Sequence, residues 1–91
     1  MIIKGVNTNM NMEEKNYINI LKMKGFTLTN DKLGMYFDKG NKKFSIIKIG
    51  DIYNCYFNER NDEHSGYVLK DNFVSQIQLT QCLRWILSKK D

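Results

Sequence analysis

The feature that most constrains this chain is a pair of glycine-led turns, at Gly40 and Gly50, set within a stretch where apolar and polar residues alternate. Gly50-Asp51 has the form of a two-residue hairpin loop. Its first position needs a positive φ, which glycine adopts without steric cost, as a type II′ turn requires. Asp38-Lys39-Gly40-Asn41 marks a second tight turn. Loops this short force the runs they join to be antiparallel. Residues 26–58 are therefore expected to form a β-meander. Its runs are Phe26 to Thr29, Leu33 to Phe37, Lys42 to Ile49 and Ile52 to Asn58, with a further turn at Asn30-Asp31-Lys32.

Side chains along a strand alternate between two faces, so the register of each hairpin sorts residues by side. Across Gly50-Asp51, Ile49 is expected to pair with Ile52, Ile47 with Asn54 and Ser45 with Tyr56. Across Lys39-Gly40, the expected pairs are Phe37 with Lys42, Met35 with Phe44 and Leu33 with Ile46. One face then collects Leu33, Met35, Phe37, Phe44, Ile46, Tyr53, Cys55 and Phe57, with Lys42 and Lys48 at its rim. That is a core. The other face collects Gly34, Tyr36, Lys43, Ser45, Ile47, Ile49, Ile52, Asn54, Tyr56 and Asn58.

The flanks read as helices. Residues 1–10 form a loose leader in which Ile2, Ile3 and Val6 have strand character. Asn11-Met12-Glu13-Glu14 then resembles a capping box, with acids in the first turn to suit the helix dipole. Tyr17, Ile18, Ile20 and Leu21 supply an apolar stripe, and Gly25 is placed to stop the helix and let Phe26 fold back onto Leu21. A helix over 12–24 follows. After the meander, residues 59–66 form a polar loop and 67–74 a fifth strand, with a turn or bulge at Asp71-Asn72. Phe73, Ser75, Ile77 and Leu79 alternate like a strand, while Leu79, Cys82, Leu83, Ile86 and Leu87 recur at helical spacing over about 79–89. The helix is expected to begin near Gln76, giving 76–89, with Trp85 at the core edge. The fold class is α+β in a single domain. An N-terminal helix, an antiparallel meander of four to five strands and a C-terminal helix follow in order, with both helices on one sheet face.

Little in the chain reads as catalytic. His64 is the single histidine, and its neighbours Asp62, Glu63 and Ser65 share its loop rather than converging from elsewhere. The six glycines are dispersed as punctuation and form no phosphate-binding loop. Cys55 and Cys82 lack the spacing of a zinc or redox motif and read as small buried hydrophobes. No catalytic residue, metal site or cofactor is expected. No apolar run is long enough to span a bilayer, and Met1-Ile2-Ile3-Lys4-Gly5 lacks the order of a secretory signal, so a cytoplasmic protein without membrane contact is expected.

Binding is the class that remains. The second sheet face is too apolar for an idle solvent face: Tyr36, Ile47, Ile49, Ile52 and Tyr56 could present on the order of several hundred Å², the scale of a contact site. Together with Lys43 these are the candidate binding residues. The expected partner is a protein, either a host protein or a second copy in a homodimer. The leader or one of the helices could instead cover the same patch. A net charge of +4 raises a second class, nucleic-acid binding through Lys39, Lys42, Lys43 and Lys48 together with the sheet-face tyrosines Tyr36 and Tyr56. All but two of the fourteen cations are lysine, however, and arginine is the residue that grips phosphate and base edges in a bidentate manner. The chain has no alanine and no proline and is rich in asparagine, lysine and isoleucine, the usage of an AT-rich gene. A phage or mobile-element inhibitor of a host defence protein is the expectation consistent with that composition.

Overall fold

A computed structural model describes residues 10–89, so the expected leader strand lies almost wholly outside the described residues. The first helix, α1, spans Met12–Met23. Asn11 caps it: its side chain accepts from the Glu14 amide at 2.8 Å, and the Glu14 carboxylate accepts from the Asn11 amide at 3.0 Å. Both ends of the reciprocal capping box are thus satisfied. At the other end Gly25 takes φ 103, the Gly25 amide donates to Lys22 and the Phe26 amide donates to Leu21. This pair of bonds is a Schellman stop, and it delivers Phe26 into the core as expected.

Five antiparallel strands follow in a single sheet ordered as in the chain: β1 (Thr27–Asn30), β2 (Gly34–Lys39), β3 (Lys42–Ile49), β4 (Ile52–Glu59) and β5 (Val68–Gln76). The β2–β3 and β3–β4 loops are both two residues long, Gly40-Asn41 and Gly50-Asp51. In each the glycine has φ near +60°, and neither Asn41 nor Asp51 has a positive φ, the signature of a type II′ turn. The β3–β4 register is the expected one, with Ile49 opposite Ile52 and Ser45 opposite Tyr56.

The β2–β3 register differs from the expected one. Phe37 pairs with Phe44, Met35 with Ile46 and Lys39 with Lys42, because the loop is Gly40-Asn41 and the strand runs on to Lys39. The slip is two residues, so it leaves every side chain on its expected face. Leu33 is the exception. It falls outside β2, in the bend that follows Asp31, and is 67% exposed rather than part of the core.

The second helix, α2, spans Leu79–Ser88: it begins where the apolar stripe begins, three residues later than the expected start at Gln76. β5 persists to Gln76, and the amides of Ile77 and Gln78, just ahead of the helix, both donate to the Gln81 side chain, which reaches back over the helix start. Ile18 and Leu21 of α1 pack with Leu79, Cys82, Leu83 and Ile86 of α2 against Met35, Phe37, Phe44, Ile46 and Cys55. Both helices therefore cover one side of the sheet. Phe44 stacks on Phe57 at 4.6 Å and meets Trp85 edge-on at 6.0 Å, while Trp85 stacks on Phe73 at 5.6 Å. Trp85 closes the core edge over β5. Cys55 and Cys82 are fully buried free thiols on facing elements, and the hydrogen bond to Cys82 together with burial pushes the Cys55 thiol far up.

Candidate functional site

The core takes the odd-numbered residues of β2 and β4 and the even-numbered residues of β3. The alternate set therefore points away from both helices. Register pairs Gly34 with Ile47, Tyr36 with Ser45, Ser45 with Tyr56, Lys43 with Asn58 and Ile49 with Ile52 on this outer face. All six candidate binding residues, Tyr36, Lys43, Ile47, Ile49, Ile52 and Tyr56, lie there together. Ile49 is 63% exposed and Ile52 38%, while Tyr36, Lys43, Ile47 and Tyr56 are half-buried.

Among the described residues neither helix covers this face, and its side chains also pack against neighbours within the sheet. A Cβ on Gly34 would lie 2.1 Å from the Ile46 carbonyl oxygen and 3.0 Å from Ile47 Cδ1. Ile47 thus leans across the space that Gly34 leaves open, and its side chain is held flat against the sheet. The Tyr36 hydroxyl donates to Asp31 at 3.2 Å, and the same carboxylate oxygen accepts from the amides of Leu33 and Gly34. The Gly34 and Leu33 amides, with a smaller part from Tyr36, hold the Asp31 carboxyl below its usual range. Partial burial and the Asp31 carboxylate in turn raise the Tyr36 phenol. The tyrosine is a fixed, neutral platform at one side of the face.

The face is graded along the strands. At the Gly50-Asp51 end it is apolar, with Ile47, Ile49 and Ile52. Toward the other end it becomes polar: Asp38 lies 3.8 Å from Lys43, and Lys43 and Arg60 each sit 4.8 Å from the centre of the Tyr67 ring. Leu69, opposite Asn58 and 52% exposed, extends the face onto β5.

Arg60, Tyr67 and Leu69 were not among the residues expected from the sequence. A signal for Arg60 was present, since it continues the alternation of Tyr56 and Asn58. Tyr67 and Leu69 fall in the expected fifth strand, but the polar loop before it leaves the face of each unassigned until the pairing of Asn58 with Leu69 is seen.

The lysines of the nucleic-acid reading are not gathered. Lys43 is on the outer face. Lys39 and Lys42 pair with each other on the helix side, where Lys39 sits over the Phe26 ring, and Lys48 lies over Tyr53 on that side too. A groove of about 320 Å³ opens on the helix side between Met10, Leu33, Met35, Lys48 and Leu79. The acids at its margin are engaged, Glu14 in the helix cap and Asp31 in its turn.

His64 is exposed, 3.8 Å from Glu63, and the Ser65 hydroxyl donates to Asp62 rather than to the imidazole. Asp62 also accepts from the His64 amide at 2.8 Å, so it serves to close the loop. Among the described residues no three His, Cys, Asp or Glu side chains are grouped to hold a metal ion, and no helix is long and apolar enough to cross a membrane. Compared with known proteins, the chain matches no family model, no curated protein and no solved structure.

Proposed function

We propose that this chain is a small non-enzymatic protein-binding domain that docks through the outer sheet face, with Tyr36, Lys43, Ile47, Ile49, Ile52 and Tyr56 as its contact residues. One observation carries the reading. Both helices pack on the opposite side, which leaves a row of isoleucines and tyrosines on a sheet held rigid from behind. Such an arrangement pairs apolar anchors with a polar rim, the usual anatomy of a contact surface. An inhibitor of a host protein, encoded by a phage or mobile element, is the form of the reading that the AT-rich composition favours.

Nucleic-acid binding is the alternative, and the outer face offers it Lys43 and Arg60 at one end only. The test is affinity capture from a host lysate at low and high salt, comparing wild type with Ile47→Asp, Tyr56→Ala and, as a control on the helix surface, Ile20→Asp. Retention of one protein by wild type and Ile20→Asp at both salt concentrations, lost in the two face variants, is the expected result. Equal retention by all four proteins, or capture of nucleic acid that vanishes at high salt, would overturn it.

A further inference from the structure

We infer that the polar end of the outer face, formed by Arg60, Lys43 and Tyr67, is a binding site for a carboxylate on the partner protein. The inference deepens the docking reading and rests on it.

Arg60 continues the outward-facing alternation of β4, and its guanidinium lies on the Tyr67 ring. Lys43 reaches the same ring from the neighbouring strand. Two cations are thus gathered on one aromatic platform by cation–π attraction. Their neutralisation is incomplete. Asp38 approaches Lys43 at 3.8 Å, but among the described residues no acid pairs with Arg60. The Nε of Arg60 is shut off from solvent without a partner, and Nη1 makes one long bond, 3.5 Å, to the Glu63 carbonyl. A guanidinium carries five N–H donors in a planar fork that matches a carboxylate. Here the ring positions the guanidinium, and the Nη donors, apart from that one long bond, are left for a carboxylate.

The rest of the face decides what carries the anion. A nucleic-acid backbone needs cations spaced along its track. Lys39, Lys42 and Lys48 face the helix side, so of the four lysines weighed for nucleic acid only Lys43 lies on the outer face, beside Arg60. Beyond it lie Tyr56, Ile47 and Ile52. An anion flanked by apolar groups is the chemistry of an acidic polypeptide segment, with a Glu or Asp at Arg60 and aliphatic or aromatic side chains on the isoleucines.

The probes are a short peptide with a Leu-Trp pair flanked by glutamates, its glutamine counterpart, and oligothymidine, each titrated into ¹⁵N-labelled full-length protein. The acidic peptide is expected to shift the Arg60 side-chain and Tyr67 backbone signals. It should bind about tenfold tighter than the glutamine peptide, a difference within reach of one charge-assisted bond. Arg60→Gln should erase that preference, and Tyr67→Leu should reduce it. A dispersed amide spectrum shows that each variant is folded.

No shift at Arg60 or Tyr67 with the acidic peptide at millimolar concentration overturns the carboxylate site. If both peptides then shift Ile47 and Ile52 equally, the docking face stands without it. If neither touches those residues while wild type still captures a protein independently of Ile47 and Tyr56, the docking face falls as well. Oligothymidine displacing the peptide from Arg60 overturns the assignment to protein and moves the site to phosphate.

Discussion

At the scale of single residues, two positions hold the outer face in shape, and each makes a separable prediction. Gly34 is needed for space rather than for an unusual φ, since any Cβ there meets the Ile46 carbonyl oxygen. Gly34→Ala must push β2 from β3 or move Ile47, at a cost on the order of 1–3 kcal/mol, the range for overpacking a filled site. Urea unfolding reads that loss, and an unchanged midpoint would show that the strands part without cost.

Asp31 acts through charge. Its carboxyl is held below its ordinary value of 3.8, first by the Gly34 amide, then by the Leu33 amide and the Tyr36 hydroxyl. A carboxyl depressed in the folded state stabilises fully above its unfolded pKa. That contribution fades as pH falls below 3.8 and through the lower folded value. The turn before β2 should therefore loosen in acid, visible as amide shifts of Leu33 and Gly34 that titrate below pH 3.8. Asp31→Asn should abolish the titration.

At the scale of elements, burial outweighs capping. Leu83 of α2 is fully buried among side chains from both layers, so Leu83→Ala should cost about 2–5 kcal/mol. Asn11→Ala removes one side-chain acceptor at the start of α1 and should cost about 1 kcal/mol. Domains commonly have only about 5–15 kcal/mol of stability in total, so the first variant should stand near unfolding while the second stays folded. Comparable thermal midpoints for the two would mean that α2 contributes little to the core.

The same contrast explains what was legible in the sequence. The capping box, the Gly25 stop and both glycine-led hairpins rest on local chemistry that short motifs encode. Face assignment survived a two-residue error at Gly40-Asn41 because strand parity is insensitive to even slips. β5 was only partly legible. Its pairing with β4 shifts between Tyr53 and Cys55 and again between Phe57 and Asn58, and Ser75 adopts φ 62 with its amide bonded to the Asn54 side chain. Irregularities of that kind break the alternation from which a strand is read, which is why the strand end at Gln76 emerges only from the folded chain, while the cluster at Tyr67 was hidden by the loop of residues 60–67 that joins β4 to β5.

At the scale of the whole molecule, the question is where an excess of four positive charges sits. A basic protein attracts nucleic acid non-specifically whether or not that is its role, so weak binding to oligothymidine at low salt discriminates nothing. What discriminates is which lysines carry it. Lys42 and Lys48 point to the helix side, away from Ile47, Ile52 and Tyr56. If the two surfaces are independent, replacing both lysines by glutamine should weaken oligothymidine binding. It should also flatten the salt dependence by roughly 0.7 in log–log slope for each lysine that was touching a phosphate. Capture of a protein partner through the outer face should be unchanged in the same variant. Ile49→Lys should do the reverse, since Ile49 is largely exposed and its replacement disturbs no core contact. Stability should stay within about 0.5 kcal/mol while partner capture falls. If the lysine variant lost the protein partner and Ile49→Lys kept it, docking would belong to the helix side of the molecule.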